Sequence, residues 1–207
     1  MANNFYEEVL NEKQKKLLPL VRLFYDKFYL VGGTAIALQL GHRRSIDFDL
    51  FSLQKIDQRK IRSLIIKNYQ IDKVMIDDNE EYTIMVDGVK ITFLHYPFKI
   101  KVTKKFDDYI KMPNLTTLAA MKAYALGRRA KWKDYVDLYW IMKKHTTLEK
   151  IIKTAQIIFS GEFNEKNFRE QLAYFKDIDY TEVVDWLKNF KISDKQIKDF
   201  LIKNSLE

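Results

Sequence analysis

The sequence of 207 residues contains no cysteine. Disulfide bonds, thiolate nucleophiles and cysteine-ligated zinc are therefore excluded, and the composition suits a reducing compartment. Six glycines and three prolines make up about 4% of the chain, against roughly 12% in ordinary proteins. With so few residues that break regular structure, we expect a protein rich in long helices and strands.

Long apolar runs are also missing. No stretch approaches the roughly 20 apolar residues that a transmembrane helix needs. The first 16 residues carry acids and lysines where a signal peptide has its apolar segment. We therefore expect a cytoplasmic protein with no membrane-spanning segment.

Apolar and aromatic residues are plentiful. They make up 47% and 14% of the chain, beside 31% charged residues, which is enough for a hydrophobic core and argues against intrinsic disorder. At this length the chain forms one large domain or two small domains that pack together.

Positive charge is concentrated in the middle of the chain. Residues 99–153 carry 14 basic and 5 acidic side chains, a net charge of +9, whereas the formal charge of the whole chain is +8. Lysines and arginines that neutralise phosphates dominate nucleic-acid affinity. The middle segment therefore favours a surface that attracts polyanions, although lysines also serve simply to solvate helices.

The first 100 residues follow an α/β pattern. Residues 28–33 (FYLVGG) predict a buried strand that ends at two glycines, residues 34–41 a short helix, and residues 46–51 (IDFDLF) a second strand. Further on, Asp87-Gly88 lies between two alternating segments and predicts a β-hairpin, because this dipeptide accommodates the positive φ of a type I′ turn.

Beyond Pro113 the periodicity is helical. The fold class we predict is α+β, with an α/β domain over residues 1–105 and a helical domain over residues 106–207. The predicted helices span residues 115–128, 133–145, 147–160, 164–175, 181–190 and 194–204.

The most informative feature is a pair of aspartates, Asp47 and Asp49. Side chains at positions i and i+2 of a strand point to the same face, so these two carboxylates lie side by side while Phe48 enters the core. Two like charges so close together need a cation, and oxygen ligands of this kind suit Mg²⁺, or Mn²⁺ in its place. We therefore predict a metal site at Asp47 and Asp49.

A glycine pair precedes this strand. Gly32 and Gly33 stand at the start of a helix, where bare backbone N–H groups and the helix dipole favour phosphate oxygens. The stretch VGGTAIALQLGHRRSIDFDLF resembles the nucleotidyltransferase superfamily typified by DNA polymerase beta. In that superfamily, a strand ending in two small residues and a helix precede an Asp-hydrophobic-Asp strand.

A second segment narrows the resemblance. Residues 121–141 (MKAYALGRRAKWKDYVDLYWI) place Lys122 on one helix and Lys133-Asp134 with Asp137 at the start of the next. Together with HRRSIDFD, this resembles the AbiEii/AbiGii-like abortive-infection toxins. The resemblance implies a polymerase-beta-like α/β part with a mixed sheet and flanking helices, a C-terminal helical bundle, and an active site between them. It also implies use of an NTP and Mg²⁺, transfer to an acceptor such as tRNA, and pairing with an antitoxin protein.

The resemblance also implies roles for individual residues. Asp47 and Asp49 would hold the metal, and Lys122 would neutralise charge on the phosphates. Asp134 or Asp137 would complete the site from the helical side. The triphosphate would be bound by the glycine turn, namely Gly32, Gly33 and Thr34. Arg43 and Arg44 are candidates for phosphate or acceptor contact, because guanidinium groups match phosphate oxygens.

One position departs from the superfamily pattern. A later strand commonly supplies a third carboxylate that helps to activate the attacking hydroxyl, and the matching position here is Thr92. A hydroxyl does not act as a general base at neutral pH. Either Asp134 or Asp137 replaces the missing group, or the reaction is slow, or catalysis has been lost.

The function predicted from the sequence is Mg²⁺-dependent transfer of a nucleoside monophosphate from an NTP to an acceptor hydroxyl. The acceptor we expect is RNA such as tRNA, and the context a toxin–antitoxin or abortive-infection system. One alternative is a different acceptor, either a protein hydroxyl or a small molecule such as an aminoglycoside, and the basic middle segment disfavours the aminoglycoside. The other is a catalytically degenerate module that binds nucleotide or nucleic acid, which Thr92 favours.

Overall fold

The computed structural model describes residues 5–207. Within this range, a mixed sheet and a two-stranded hairpin are surrounded by helices, most of which follow the strands. The helices are α1 (Glu12–Lys16), α2 (Leu18–Arg22), α3 (Gly32–Leu40), α4 (Gln58–Ile65), α5 (Leu115–Leu126), α6 (Trp132–Lys144), α7 (Leu148–Phe159), α8 (Glu165–Ala173) and α9 (Asp194–Leu206). The strands are β1 (Tyr29–Val31), β2 (Phe48–Ser52), β3 (Ile71–Asp77), β4 (Glu81–Val86), β5 (Val89–His95), β6 (Val102–Phe106) and β7 (Ile110–Pro113).

Five strands form the main sheet, in the order β1-β2-β5-β4-β3. β2 and β5 run parallel, whereas the other neighbouring strands are antiparallel. The predicted α+β class with a mixed sheet and a helical C-terminal region is confirmed. The predicted hairpin is also present: β4 and β5 are joined by Asp87 and Gly88, which have φ angles of 50° and 73°.

The two faces of the sheet have different roles. Along β2, Phe48 and Leu50 are buried, whereas Asp49 between them is only half-buried on the opposite face. On β5, Phe93 packs against Phe24 with ring centroids 4.7 Å apart. One face of the sheet therefore belongs to the hydrophobic core and the other carries polar side chains.

Helices dominate after Pro113, and two of them begin as their sequences predict. Asn114 caps α5 by accepting a hydrogen bond from the Thr117 amide at 2.9 Å, and Ser193 and Gln196 form a capping box at the start of α9. The β6–β7 hairpin was not foreseen; it spans the expected boundary and lies beside β1. The division at residues 105/106 stays a prediction. No helix within residues 5–207 is both long and apolar enough to cross a bilayer.

The helix expected over residues 181–190 is wrong. This segment is mostly irregular, and Trp186 pairs with Arg43 in an antiparallel bridge. The Arg44 amide donates to the Asp185 carbonyl at 2.8 Å, and the Leu187 amide donates to the His42 carbonyl at 3.1 Å. Backbone groups of residues 185 and 187 therefore bond to a distant loop, and the segment lacks the repeating backbone hydrogen bonds of a helix.

Candidate active site

Asp49 lines a cleft with a volume of about 530 Å³. The cleft lies against the face of the sheet that carries Asp49, and α5 contributes Lys122 to its lining. A volume of this size falls within the range of small-molecule sites. Asp49 and Lys122, predicted as site residues from two distant segments, thus share one cavity.

The glycine turn lies directly against the Asp49 carboxylate. Val31, the last residue of β1, is the register partner of Asp49, and Gly32 follows with a φ of +68°. A methyl group added at Gly32 would collide with Asp49 Oδ2. Glycine is needed here for two reasons, since the backbone has a left-handed conformation and also approaches a side chain too closely for a Cβ atom.

The next two residues connect the turn to its surroundings. A Cβ atom at Gly33 would lie 2.6 Å from Arg43 Nη2 and 2.8 Å from Ser45 Oγ. The Thr34 side chain is buried, and its hydroxyl donates to the backbone carbonyl of Asp47. This hydrogen bond ties the first turn of α3 to the residue just before β2, which fixes the glycine turn relative to the aspartates.

Asp47 and Asp49 have different electrostatic surroundings. Asp47 Oδ2 forms an ion pair with Lys90 Nζ at 2.8 Å, and both side chains are about one-third exposed. Burial and the nearby charge of Asp47 raise the pKa of Asp49 above its ordinary value. These two effects disfavour the carboxylate form of Asp49, and a cation placed beside it would favour that form.

A buried ion cluster lies behind this site, centred on Asp137 of α6. Asp137 accepts hydrogen bonds from Arg43 Nε at 2.7 Å and Arg43 Nη2 at 2.8 Å. It also lies 2.8 Å from His42 Nε2 and forms an ion pair with Lys122 Nζ at 2.9 Å. Burial alone would raise the pKa of Asp137, but the charges of Arg43 and Lys122 hold it well below its ordinary value. Burial lowers the pKa of His42, so this ring is neutral at pH 7 and donates from Nε2.

Lys122 bridges two acids. Its ammonium group pairs with Asp134 as well as with Asp137, and its side chain is only 7% exposed. Asp134 also accepts a hydrogen bond from Arg129 Nε at 3.3 Å. Burial lowers the pKa of Lys122, yet the two carboxylates outweigh it and the net shift is upward. Lys122 is therefore a fixed positive charge in the wall of the cleft.

The predicted site residues are placed in three layers. Gly32, Asp49 and Lys122 line the cleft. Arg43 and Asp137 lie behind it, with side chains 3% and 0% exposed. Arg44 points away to the surface, where its side chain is 42% exposed and Nε lies 3.6 Å from Asp185 Oδ2.

Several residues of the cleft were not foreseen from the sequence. Lys90 lies on β5, Glu81 and Thr83 lie on β4, and Arg129 follows α5. Thr92, which also lines the cleft from β5, had been singled out as the position that matches the third carboxylate of the superfamily. The sequence signal that could have identified the cleft residues on β4 and β5 is strand alternation. Positions 90 and 92 share one face of β5, and the hairpin register pairs Thr92 with Thr83.

The donor set around Asp49 fits a divalent cation whose remaining ligands come from substrate. No cluster of three or more His, Asp or Glu side chains in the described part of the chain is placed to hold a metal ion. Mg²⁺, however, is commonly held by one or two carboxylates together with substrate phosphates. A bound cation would offset the burial and the negative charge of Asp47 that raise the pKa of Asp49.

Comparisons with known proteins agree with this geometry. Residues 20–200 match the family described as nucleotidyl transferase AbiEii toxin, type IV toxin–antitoxin system. An uncharacterized protein of Aquifex aeolicus is 32% identical over 154 residues, which cover 69% of this chain and 73% of that protein.

Solved structures share the fold. MenT4, a nucleotidyltransferase toxin of Mycobacterium tuberculosis, superposes with a TM-score of 0.66 at 13% identity, over 93% of this chain and 80% of MenT4. JHP933 of Helicobacter pylori gives 0.59 at 16% identity, over 95% and 92% of the two chains. The match over residues 20–200 covers most of the sequence, and the chain therefore belongs to the AbiEii family of toxin nucleotidyltransferases.

Proposed function

We propose that this nucleotidyltransferase transfers a nucleoside monophosphate from an NTP to a hydroxyl group of an RNA such as tRNA, with Mg²⁺ or Mn²⁺ as cofactor. The observation that carries the proposal is the Asp49 carboxylate against the Gly32 turn, with the fixed charge of Lys122 across the same cleft. A triphosphate needs a backbone cradle, a carboxylate-held cation and a second positive charge, and this cleft offers groups for all three.

Asp47 and Asp49 are the residues that would hold the divalent ion. When bound, the ion would neutralise phosphate oxygens and favour attack at the α-phosphorus. Lys90 pairs with Asp47 at 2.8 Å, so the Asp47 carboxylate is held in position. The protein's own contribution is to keep two carboxylates on one side of the strand, where their mutual repulsion favours cation binding.

The first turn of α3 would bind the phosphates. The backbone N–H groups of Gly33 and Thr34 belong to the positive end of this nine-residue helix. Lys122, held by Asp134 and Asp137, would stabilise the charge that develops on the departing pyrophosphate. Because its position is already fixed, little reorganisation is needed during the reaction.

Positive charge at the mouth of the cleft supports a polyanionic acceptor. Arg128 and Arg129 line the cleft and their side chains are 53% and 55% exposed. They lie within residues 99–153, whose net charge is +9. Such a charged rim attracts an RNA backbone and does not suit a polycationic aminoglycoside.

The toxin family supports two further parts of the proposal. We infer that an antitoxin protein restrains the activity, because the matched family is described as part of a type IV toxin–antitoxin system. We also infer that the reaction takes place in the cytoplasm, because both the NTP and the RNA acceptor are available there.

The experiment is to incubate the protein with each α-labelled NTP, Mg²⁺ and total RNA, and to separate the products by size. Wild type is expected to label RNA, whereas the Asp47→Asn, Asp49→Asn double variant folds and transfers nothing. Asp199→Asn, which removes an exposed carboxylate on α9, serves as the matched control and should keep full activity.

Each contrary outcome has a distinct meaning. Persisting transfer by the double variant would refute the assigned metal site. Label that appears only on an aminoglycoside or on a protein would overturn the RNA acceptor and leave nucleotidyl transfer intact.

A further inference from the structure

A chain of two hydroxyl groups and one carboxylate crosses the floor of the cleft. Thr83 Oγ1 lies 2.6 Å from Glu81 Oε1 and 3.2 Å from Thr92 Oγ1. Thr92 is the register partner of Thr83 on one side and of Asp49 on the other. Neighbouring strands are about 4.8 Å apart, so the hydroxyl end of the chain lies next to Asp49, where the reaction would occur.

The direction of this chain follows from the number of protons. A threonine hydroxyl has one proton to donate and two lone pairs that accept. The Glu81 carboxylate only accepts, so Thr83 donates to Glu81. Thr83 therefore accepts from Thr92. The Thr92 oxygen keeps a free lone pair, and Thr92 lines the cleft.

Other groups near the cleft are poor proton acceptors. Asp137 accepts from Arg43 and Lys122, and these charges hold its pKa well below the ordinary value. Asp134 is buried and pairs with Lys122 and Arg129. Burial lowers the pKa of Lys90, but Asp47 outweighs it and the pKa is raised, so Lys90 stays cationic.

Among the described residues, the acids that line the cleft are Asp49 and Glu81. Asp49 is assigned to the metal in the proposed function. Glu81 is therefore the remaining carboxylate within reach of the acceptor, and it is connected to the site through two hydroxyl groups.

We propose that Thr92 receives the proton of the acceptor hydroxyl and that Thr83 and Glu81 act as positioning residues that carry it away. This inference rests on the proposed nucleotidyl transfer. The acceptor O–H bond breaks, and its proton passes to Thr92 Oγ1 as the Thr92 proton moves to Thr83 and the Thr83 proton moves to Glu81. The freed electron pair forms the bond to the α-phosphorus, and the bond to the bridging oxygen breaks as pyrophosphate leaves. Glu81 later loses its proton to water.

The test compares Glu81→Gln and Thr92→Val with Thr92→Ser. General-base assistance contributes roughly 10²–10⁴-fold, so we expect kcat for transfer to total RNA to fall about 100-fold or more in the first two variants. Thr92→Ser keeps the hydroxyl and should stay within a few-fold of wild type.

NTP affinity, measured by calorimetry with a non-hydrolysable analogue and Mg²⁺, should change less than about twofold. The Glu81→Gln, Thr92→Val double variant should be no slower than the slower single variant, because both changes interrupt one relay.

Glu80→Gln is the matched control, since Glu80 is adjacent in sequence but pairs with His95 outside the cleft lining. Wild-type kcat in both Glu81→Gln and Thr92→Val would overturn the relay and leave the proposed function intact. Equal loss in Thr92→Ser and Thr92→Val would also overturn it, because the hydroxyl would then be irrelevant. If wild type labels no acceptor under any condition, the proposed function fails, and the relay fails with it.

Discussion

Replacing Asp137 by asparagine tests whether the buried ion cluster supports the active site. The substitution preserves shape and removes one negative charge from a side chain with no solvent exposure. Asparagine offers one oxygen acceptor and places an NH₂ group where the carboxylate had accepted a second set of hydrogen bonds. Arg43, with a side chain 3% exposed, would then lack a full counter-charge.

The loss of stability expected for Asp137→Asn follows from the ion pairs that the substitution breaks. Breaking a buried ion pair by removing one member costs about 3–5 kcal/mol. Because Lys122 keeps its second partner Asp134, we expect the lower end, about 3 kcal/mol. For a chain of this length, 1 kcal/mol corresponds to roughly 2–4 °C in Tm. Asp137→Asn should therefore melt roughly 6–12 °C below wild type.

Thermal unfolding followed by circular dichroism at pH 7 is the assay, and Asp185→Asn is the control. Asp185 pairs with Arg44 at the surface of the same region, with a side chain 68% exposed. An exposed pair of this kind contributes less than about 1 kcal/mol. The control should therefore melt within about 4 °C of wild type.

The pH dependence gives a second readout. The folded pKa of Asp137 is depressed, mainly by Arg43 and Lys122 acting against burial. Its contribution to stability is therefore present above the unfolded pKa of 3.8 and is lost as the pH falls through the folded pKa. The Tm gap between Asp137→Asn and wild type should narrow only below about pH 4. A variant that melts within 2 °C of wild type at pH 7, or a gap already closed at pH 6, would refute the reasoning.

Two further substitutions test the front of the site. Asp49→Asn should keep or raise the Tm in metal-free buffer at pH 7, because burial and Asp47 disfavour the charged carboxylate in the folded state. The same variant should abolish transfer. A fall in Tm as large as that expected for Asp137→Asn would contradict this reasoning. Gly32→Ala should cost about 1–2 kcal/mol from its positive φ and lose most transfer activity, because the new methyl group displaces Asp49 Oδ2. Gly161→Ala is the control, since a Cβ atom there meets nothing within 4 Å. Equal activity in the two glycine variants would show that the contact between residue 32 and Asp49 does not determine the transfer activity.

Local sequence patterns were sufficient to predict the strand that carries Asp49 and the hairpin that follows it. Strand alternation at Phe48 and Asp49 predicted which side chain is buried, and Phe48 is indeed 1% exposed. Asp87-Gly88 predicted a hairpin because its backbone requirement is contained in two residues. The family resemblance rested on short motifs of the same kind, and the match over residues 20–200 confirms it.

Contacts between distant segments were not predictable in the same way. Trp186 and Leu187 have helical spacing relative to Phe190, but their segment bonds to residues 42–44, and no local signal encodes that partner. The β6–β7 hairpin was missed as well, since its strands are short and rich in lysine.

The buried ion cluster also could not be predicted, because it joins segments that are distant in the sequence. Arg43 was predicted as a candidate for phosphate or acceptor contact from its position before β2, and its pairing with Asp137, 94 residues away, was not predicted. Asp134 and Asp137 were predicted to act from the helical side of the site, and both pair with Lys122. Which of these groups contact nucleotide stays a prediction.

The bridge between Trp186 and Arg43 has a consequence for biosynthesis. The loop that carries His42 and Arg43 forms backbone hydrogen bonds with residues 185–187, which lie far from it along the chain. During translation, the glycine turn and the aspartates emerge long before the segment that braces them. A polypeptide released early would thus carry every motif of the toxin and lack the support that holds them in place.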